Sequence, residues 1–556
     1  MPWLPAIMLM TVGLVSGLSG YPLLDPDEGR NAEVAREMAA TNNYVLPHLN
    51  GLPYVDKPVI FFAVTAASIE LFGVTEFAVR LAPLLFTGLT LVVVWCFSNR
   101  LYGRSGAWIA TIATGTMPLT LGFARTVIFD SALTFFVTGA IATFFLAMED
   151  DTGHRQSWTA LAFACIALGI LTKGPIALAL PLLVAVPYGI WRRRWRVLVD
   201  PVGWLLVVAL VLPWVAAVSR DVPDFVPYVL FTETVGRLFT DELRRTGPFW
   251  YFIPIVLAGS LPWSLVAISG WRAAQRDAGQ RPLSDRRLVL ALLWIVVPLV
   301  FFSLSQSKRP QYMVPLMAPV GLVVCHLWTT ATERPRGVRA ASIPLMIVAG
   351  IMGAASLVVP NLIEVTPGVA EAIGFTSLVL AGTTFVAAFS VWLLPPRTTV
   401  VLALFSLPAA AIPISSLGLM KAIGDDRSAH GAAVAITPNL QPTTEIVAID
   451  TYPLSLPFYL DRTLTLATTD GSELTSNYLV RYLDRFRTRM DTSLRPADWW
   501  LEALTNCSRP RIFVTGSNNS DVRDILASRL RMIIDDRDIA VYGPCDVEVL
   551  AQGKEK

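Results

Sequence analysis

The stretch DPDEGRNAEVAREM, residues 25–38, holds two Asp, three Glu and two Arg. Asp27 and Arg30 are three residues apart, so a helix would bring them to one face. A carboxylate beside a guanidinium can hold or polarise a charged ligand. Asp25 and Glu28 also fit a structural role, with Asp25 as a helix N-cap, Pro26 as the first helical residue and Glu28 at the capping-box position. Asp27 is not needed for such a cap, which makes it the first candidate catalytic carboxylate, with Glu28 and Asp130 as further catalytic candidates. A second cluster, YVDKPVIFF at 54–62, sets Asp56 to cap a helix and Lys57 near that helix's positive end. An anion such as a phosphate would resolve that electrostatic conflict.

Further charges stand at the ends of apolar runs. They are Arg125 and Asp130 in FARTVIFDS, Lys173 in LTKGP, and Glu233 and Arg237 in FTETVGRLF. Lys308, Arg309 and Tyr312 follow in SQSKRPQYMVP. Ionisable groups beside hydrocarbon are costly and mark function. Several on one side of a membrane point to a shared cavity. Such a set suits sugar transfer. Its cations neutralise phosphate oxygens, Arg bidentately, and stabilise a leaving phosphate. Its carboxylates support an oxocarbenium-like ring. No dinucleotide fingerprint, P-loop or zinc-type spacing offers another reaction. The four His, at 48, 154, 326 and 430, are dispersed. This chemistry requires no cofactor, and the sequence does not indicate a bound divalent metal.

These groups need elements to hold them. The chain of 556 residues is 54% hydrophobic and 15% charged, against about a quarter charged in soluble proteins. Apolar runs of bilayer-spanning length recur over its first three quarters. They lie at Trp3–Gly20, Ala78–Phe97, Gly106–Phe123, Ser131–Met148, Trp158–Leu171, Pro175–Ile190, Val202–Val218, Phe249–Gly270, Leu288–Leu304, Tyr312–Trp328, Ala341–Val359, Ser377–Leu394 and Val400–Leu419. The expectation is about thirteen transmembrane helices. Pro58–Val74, shorter and broken by Glu70, reads as a helix lying at the interface. With the N-terminus cytoplasmic, short basic loops carry Arg100, Arg155, Arg192, Arg286 and Arg397 inside, as the positive-inside rule requires. The loops Tyr21–Phe77 and Ser219–Pro248 then face outward. An enzyme facing outward has no nucleotide sugar to use, so a lipid phosphate-linked sugar is its available donor.

From residue 421 the composition changes. TEIVAID, RTLTLAT and PRIFVTG read as strands, and LVRYLDRFRTRM and DVRDILASRL as amphipathic helices. Residues 1–420 form a transmembrane domain, whose first outer loop, 21–77, carries juxtamembrane helices. Residues 421–556 form a small α/β domain outside the membrane, where Cys507 and Cys545 could pair or stay free.

The blocks DPDEGRNAEVAREM, YVDKP, ARTVIFDS, TKGP, ETVGRLF, GPFWYFIPIVLAGSLPWS and SKRPQYMVPLMAP together resemble the lipid A aminoarabinose transferases. Those belong to the polyprenyl-phosphate-dependent GT-C glycosyltransferases, which include the protein O-mannosyltransferases. The resemblance runs through the membrane region in order. It implies the GT-C fold, with Asp27 as the key carboxylate, Lys57 and Arg237 as undecaprenyl phosphate ligands, and Tyr312 nearby. Arg30 and Asp130 match further cavity positions. The implied activity moves 4-amino-4-deoxy-L-arabinose from undecaprenyl phosphate to a lipid A phosphate on the periplasmic side of a bacterial inner membrane. Masking that charge weakens binding of polymyxin and other cationic peptides.

Two other readings remain. A protein O-mannosyltransferase would use the same kind of donor on a hydroxyl acceptor. A flippase or transporter for a lipid-linked sugar would show related halves and broken midplane helices, and no such halves are visible. Nothing in the sequence points to nucleic acid; the expected partners are the donor, lipid A or another periplasmic acceptor, and membrane lipids.

Overall fold

A computed structural model describes residues 2–229, 247–276, 285–330, 334–358, 366–395, 397–489, 492–507 and 509–545. The chain divides into two compact units, Met1–Gly20 with Arg80–Ala422, and Tyr21–Val79 with Ile423–Lys556. The first outer loop therefore packs as one body with the C-terminal residues.

The first unit is a bundle of apolar helices. Among the described residues, nine helices are long and apolar enough to cross a membrane, or ten if one bent pair is counted as a span. All the apolar runs read from the sequence fall on helix. The run 78–97 and the first part of the run 106–123 lie in one 40-residue element, Glu76–Gly115, interrupted at Gly103, and the rest of the second run forms the helix Pro118–Phe123. Gly103 has φ 70°, a conformation that glycine adopts without a Cβ penalty. The run 249–270 is bent by 97° between Phe252–Gly259 and Trp263–Arg272. Leu4–Val15 and Ile176–Trp191 are shorter apolar helices.

Several hydroxyls inside the apolar helices are satisfied locally. Thr87, Thr90 and Ser406 each donate to the carbonyl one turn back, which hides a polar group from hydrocarbon. Burial separates core helices from lipid-facing ones. In Asp130–Glu149 and Pro310–Thr330, 89% of the apolar window is buried, against 17% in Trp195–Asp221. The two central elements are those that carry Asp130 and Tyr312.

Charged side chains mark one end of this bundle. Glu149 accepts hydrogen bonds from Arg192 and Arg286, both at 2.7 Å, and from Tyr188 at 2.7 Å. Arg287 reaches the Leu101 carbonyl at 3.0 Å. These arginines all come from loops read as inner. The helix Asp130–Glu149 has 20 residues, so Asp130 stands about 30 Å along the axis from that basic end.

The second unit is built on a six-stranded sheet. Its order is Leu494–Pro496, Thr465–Thr468, Glu445–Ile449, Arg511–Gly516, Ile539–Cys545 and Met532–Asp535. The first four strands are parallel and the last two pair antiparallel. The three runs read as strands form its centre. Ser520–Ala527 is helical as expected. The run 479–490 is not one helix: Asn477–Arg481 and Leu483–Arg487 are separate short turns divided at Tyr482. Phe513, Ala540 and Tyr542 pack with Leu526 and Trp500 in the core. A disulfide joins Cys507 and Cys545, whose Cα atoms are 5.7 Å apart.

Candidate functional site

The first-loop helix runs from Asp27 to Thr41, with Pro26 ahead of it and no side-chain cap. Asp25 is thus not the N-cap. Its carboxylate instead accepts from the Ser455 hydroxyl at 2.8 Å and the Ser455 amide at 3.2 Å. Burial pushes the Asp25 carboxyl up to about 7, against the pull of those two hydrogen bonds. Glu28 reaches back to the Leu24 amide at 3.1 Å, much as a capping-box Glu does but one residue earlier.

Asp27 and Arg30 form the pair expected from their spacing, with Arg30 donating to Oδ1 of Asp27 at 2.7 Å. Arg30 also donates to the Thr475 hydroxyl at 2.9 Å. The Asp27 side chain is 36% exposed and that of Arg30 15%, so the carboxylate is held in place yet open to a ligand.

Asp56 does not cap the helix that follows it. That helix begins at Ile60 without a side-chain cap. The Asp56 carboxylate accepts from the amides of Asn477 and Tyr478, at 3.1 and 3.2 Å, at the start of a short helix over four hundred residues away in the chain. Lys57 lies before the Ile60–Phe72 helix and not in its first turn, and its Nζ donates to the Asp56 carbonyl at 2.6 Å.

The helix bearing Asp27 buries charged as well as apolar side chains. Glu33, Val34, Ala35, Arg36, Glu37 and Met38 are all buried. Arg36 grips both oxygens of Glu33 at 2.7 Å. Glu37 accepts from the amides of Asn50 and Gly51, at 2.5 and 2.9 Å. The Asn50 side chain pairs with the backbone of Leu464, donating at 2.9 Å and accepting at 2.8 Å. Burial pushes the Glu33 carboxyl well above the usual range, although Arg36 opposes it. Sequence reasoning passed over these three charges. They fall on the side of the helix opposite Val34, Ala35 and Met38, which reads as a solvated polar face, so the sequence carries no signal of their burial.

In the membrane unit, Lys173 donates to Oδ1 of Asp130 at 2.5 Å. The Lys173 ammonium lies 5.7 Å from the centre of the Tyr312 ring, within cation–π range. Tyr312 stacks on Phe302 at 5.0 Å. These three sequence candidates form one cluster at the end opposite the basic loops. Lys308 donates to the carbonyls of Ser305 and Ser303 at 2.6 and 2.8 Å, closing the end of the helix that precedes it. Arg125 donates to the carbonyls of Leu121, Ser16 and Gly13, which ties helix Pro118–Phe123 to the first helix. Arg309 adjoins this region, at the head of the turn Pro310–Leu316. Glu233 and Arg237 lie outside the described residues. Among the described residues, no group of three or more His, Cys, Asp or Glu could hold a metal ion.

The comparisons with known proteins give first a class. Residues 56–219 match the dolichyl-phosphate-mannose-protein mannosyltransferase family. The structure is similar to that of ArnT from Cupriavidus metallidurans bound to undecaprenyl phosphate, with a TM-score of 0.83 and 25% identity over 97% of each chain. The chain is a multi-pass helical membrane protein with the GT-C fold.

More particular likenesses come from curated relatives. The chain is 35% identical over 311 residues to the undecaprenyl phosphate-alpha-4-amino-4-deoxy-L-arabinose arabinosyl transferase of Aeromonas hydrophila subsp. hydrophila, covering 55% of this chain and 56% of that protein. It is 32% identical over 370 residues to the corresponding transferase 1 of Pseudomonas fluorescens, covering 64% of this chain and 65% of that one. The chain thus spans less than two thirds of the length of these curated relatives. They carry the function named for the family that the motifs resemble.

Proposed function

We propose that this chain is a polyprenyl-phosphate-dependent glycosyltransferase that moves 4-amino-4-deoxy-L-arabinose from undecaprenyl phosphate to a lipid A phosphate. The likeness to ArnT bound to undecaprenyl phosphate, over 97% of both chains, carries the reading. In a single inverting displacement, a lipid A phosphate oxygen attacks the anomeric carbon. The bond from that carbon to the undecaprenyl phosphate oxygen breaks, and undecaprenyl phosphate leaves with the electron pair. The attacking phosphate is already ionised at neutral pH, so no general base is needed. Asp27, steadied by Arg30, orients the acceptor or the sugar amine and supports positive charge on the ring. Lys57 and Arg237 hold the leaving phosphate, with Tyr312 contributing to the donor site. Asp130 and Lys173 stand beside Tyr312 as a neutralised pair.

The proposed orientation puts the N-terminus in the cytoplasm and Tyr21–Val79 with the C-terminal sheet in the periplasm of a bacterial inner membrane. Two observations support it. The inner-loop arginines gather at one end of the bundle. The Cys507–Cys545 disulfide fits an oxidising compartment.

The match to the protein mannosyltransferase family favours one alternative acceptor, a Ser or Thr hydroxyl. Asp27 would then act as general base. One experiment separates the two: purified protein with isotopically labelled undecaprenyl phosphate sugars, offered lipid A or an acceptor peptide, with products read by mass spectrometry. Labelled lipid A is the expected product. Sugar on the peptide alone would replace this reading with the alternative, and labelled donor carried across vesicles without transfer would make the chain a transporter.

A further inference from the structure

We propose that Asp25, Gly29 and Ser455 are positioning residues that fix Asp27 by clamping the first turn of its helix to the C-terminal sheet domain. Part of the clamp is the carboxylate of Asp25, which takes both the hydroxyl and the amide of Ser455. The backbone adds a reciprocal pair, since the Asp25 amide donates to the Arg427 carbonyl at 2.8 Å and Arg427 donates to the Asp25 carbonyl at 3.2 Å. Ser455 is itself held, its hydroxyl accepting from the Ala429 amide at 2.9 Å.

Gly29 makes the approach close enough. A Cβ there would stand 2.7 Å from the Ser455 nitrogen and 2.9 Å from its Cα, and neither is a flexible side-chain end. Residue 27 is therefore bracketed, with one anchor two positions before it and another two positions after. The direction of the Asp27 carboxylate is set by how that turn is rotated. A displacement of about 1 Å at a reacting group can cost about a hundredfold in rate. The inference rests on the reading of Asp27 as the acid of sugar transfer. It assigns the C-terminal domain a part in the reaction, through Ser455, without contact with substrate.

The test uses the full chain in detergent or nanodiscs, with undecaprenyl phosphate-linked aminoarabinose and lipid A. Asp25→Ala and Ser455→Ala are expected to lower kcat by about tenfold or more, with the donor KM within about twofold of wild type. Asp25→Asn keeps an acceptor oxygen for Ser455 and should recover most of the rate. Hydrogen exchange of residues 26–32 is the second readout, and it should quicken in both alanine variants. Unchanged kcat in both alanine variants would overturn the positioning role. If wild type transfers nothing, the transferase reading fails by itself, and unchanged exchange at 26–32 in Asp25→Ala would then overturn the clamp separately.

Discussion

Lys173 closes one membrane helix and Asp130 opens another, and the two side chains meet at 2.5 Å. Both are mostly shielded, at 15% and 4% exposure. A shielded ion pair adds little net stability, but removing one partner strands the other charge. Lys173→Met alone should therefore destabilise the protein by about 3–5 kcal/mol. Asp130→Asn together with Lys173→Met should recover most of that loss without recovering transfer. Unfolding of the purified variants, set beside transfer rates, checks both halves.

Asp27 offers the opposite balance. Its pair with Arg30 is partly open to solvent, and such pairs contribute about 0–1 kcal/mol. Asp27→Asn should leave the unfolding midpoint near that of wild type and lower kcat by about a hundredfold or more. Wild-type rates in this variant would remove Asp27 from the mechanism.

Asp25 gives stability a pH dependence. In the unfolded chain its carboxyl ionises near 3.8, and in the folded protein near 7. Between those values the folded state binds the extra proton, so this group's contribution is full below about 4 and is lost as pH rises through about 7. Wild type should lose stability relative to Asp25→Asn between pH 5 and pH 8. Unfolding midpoints at four pH values decide it, and parallel curves for the two proteins would contradict the burial of this carboxylate.

The disulfide closes a loop spanning 38 residues. Replacing Cys507 and Cys545 by Ser should cost the C-terminal domain about 2–4 kcal/mol. Intact protein treated with a thiol reagent before reduction should show neither residue alkylated, which mass spectrometry of the peptides reads directly.

The sequence by itself determined what depends on local pattern. The apolar runs are largely helical, some of them broken or merged, because hydrocarbon length and backbone hydrogen bonding in lipid leave few other structures. The Asp27–Arg30 pair followed from a spacing of three on a helix. So did the central strands of the sheet, from their β-branched and apolar content.

Tertiary structure alone decided what depends on distant partners. Asp25 looks like an N-cap until Ser455, 430 positions later, claims its carboxylate. Asp56 caps Asn477 and Tyr478 and not the helix beside it. Glu33, Arg36 and Glu37 sit on a helix that would expose them if it stood alone. Each is met inside the fold: Glu37 by the turn at Asn50 and Gly51, itself pinned to Leu464, and Glu33 by Arg36, which also reaches Asp461. A buried charge needs a partner wherever the chain can supply one. The pattern within one segment shows that the need exists, and only the packed chain shows which residue meets it.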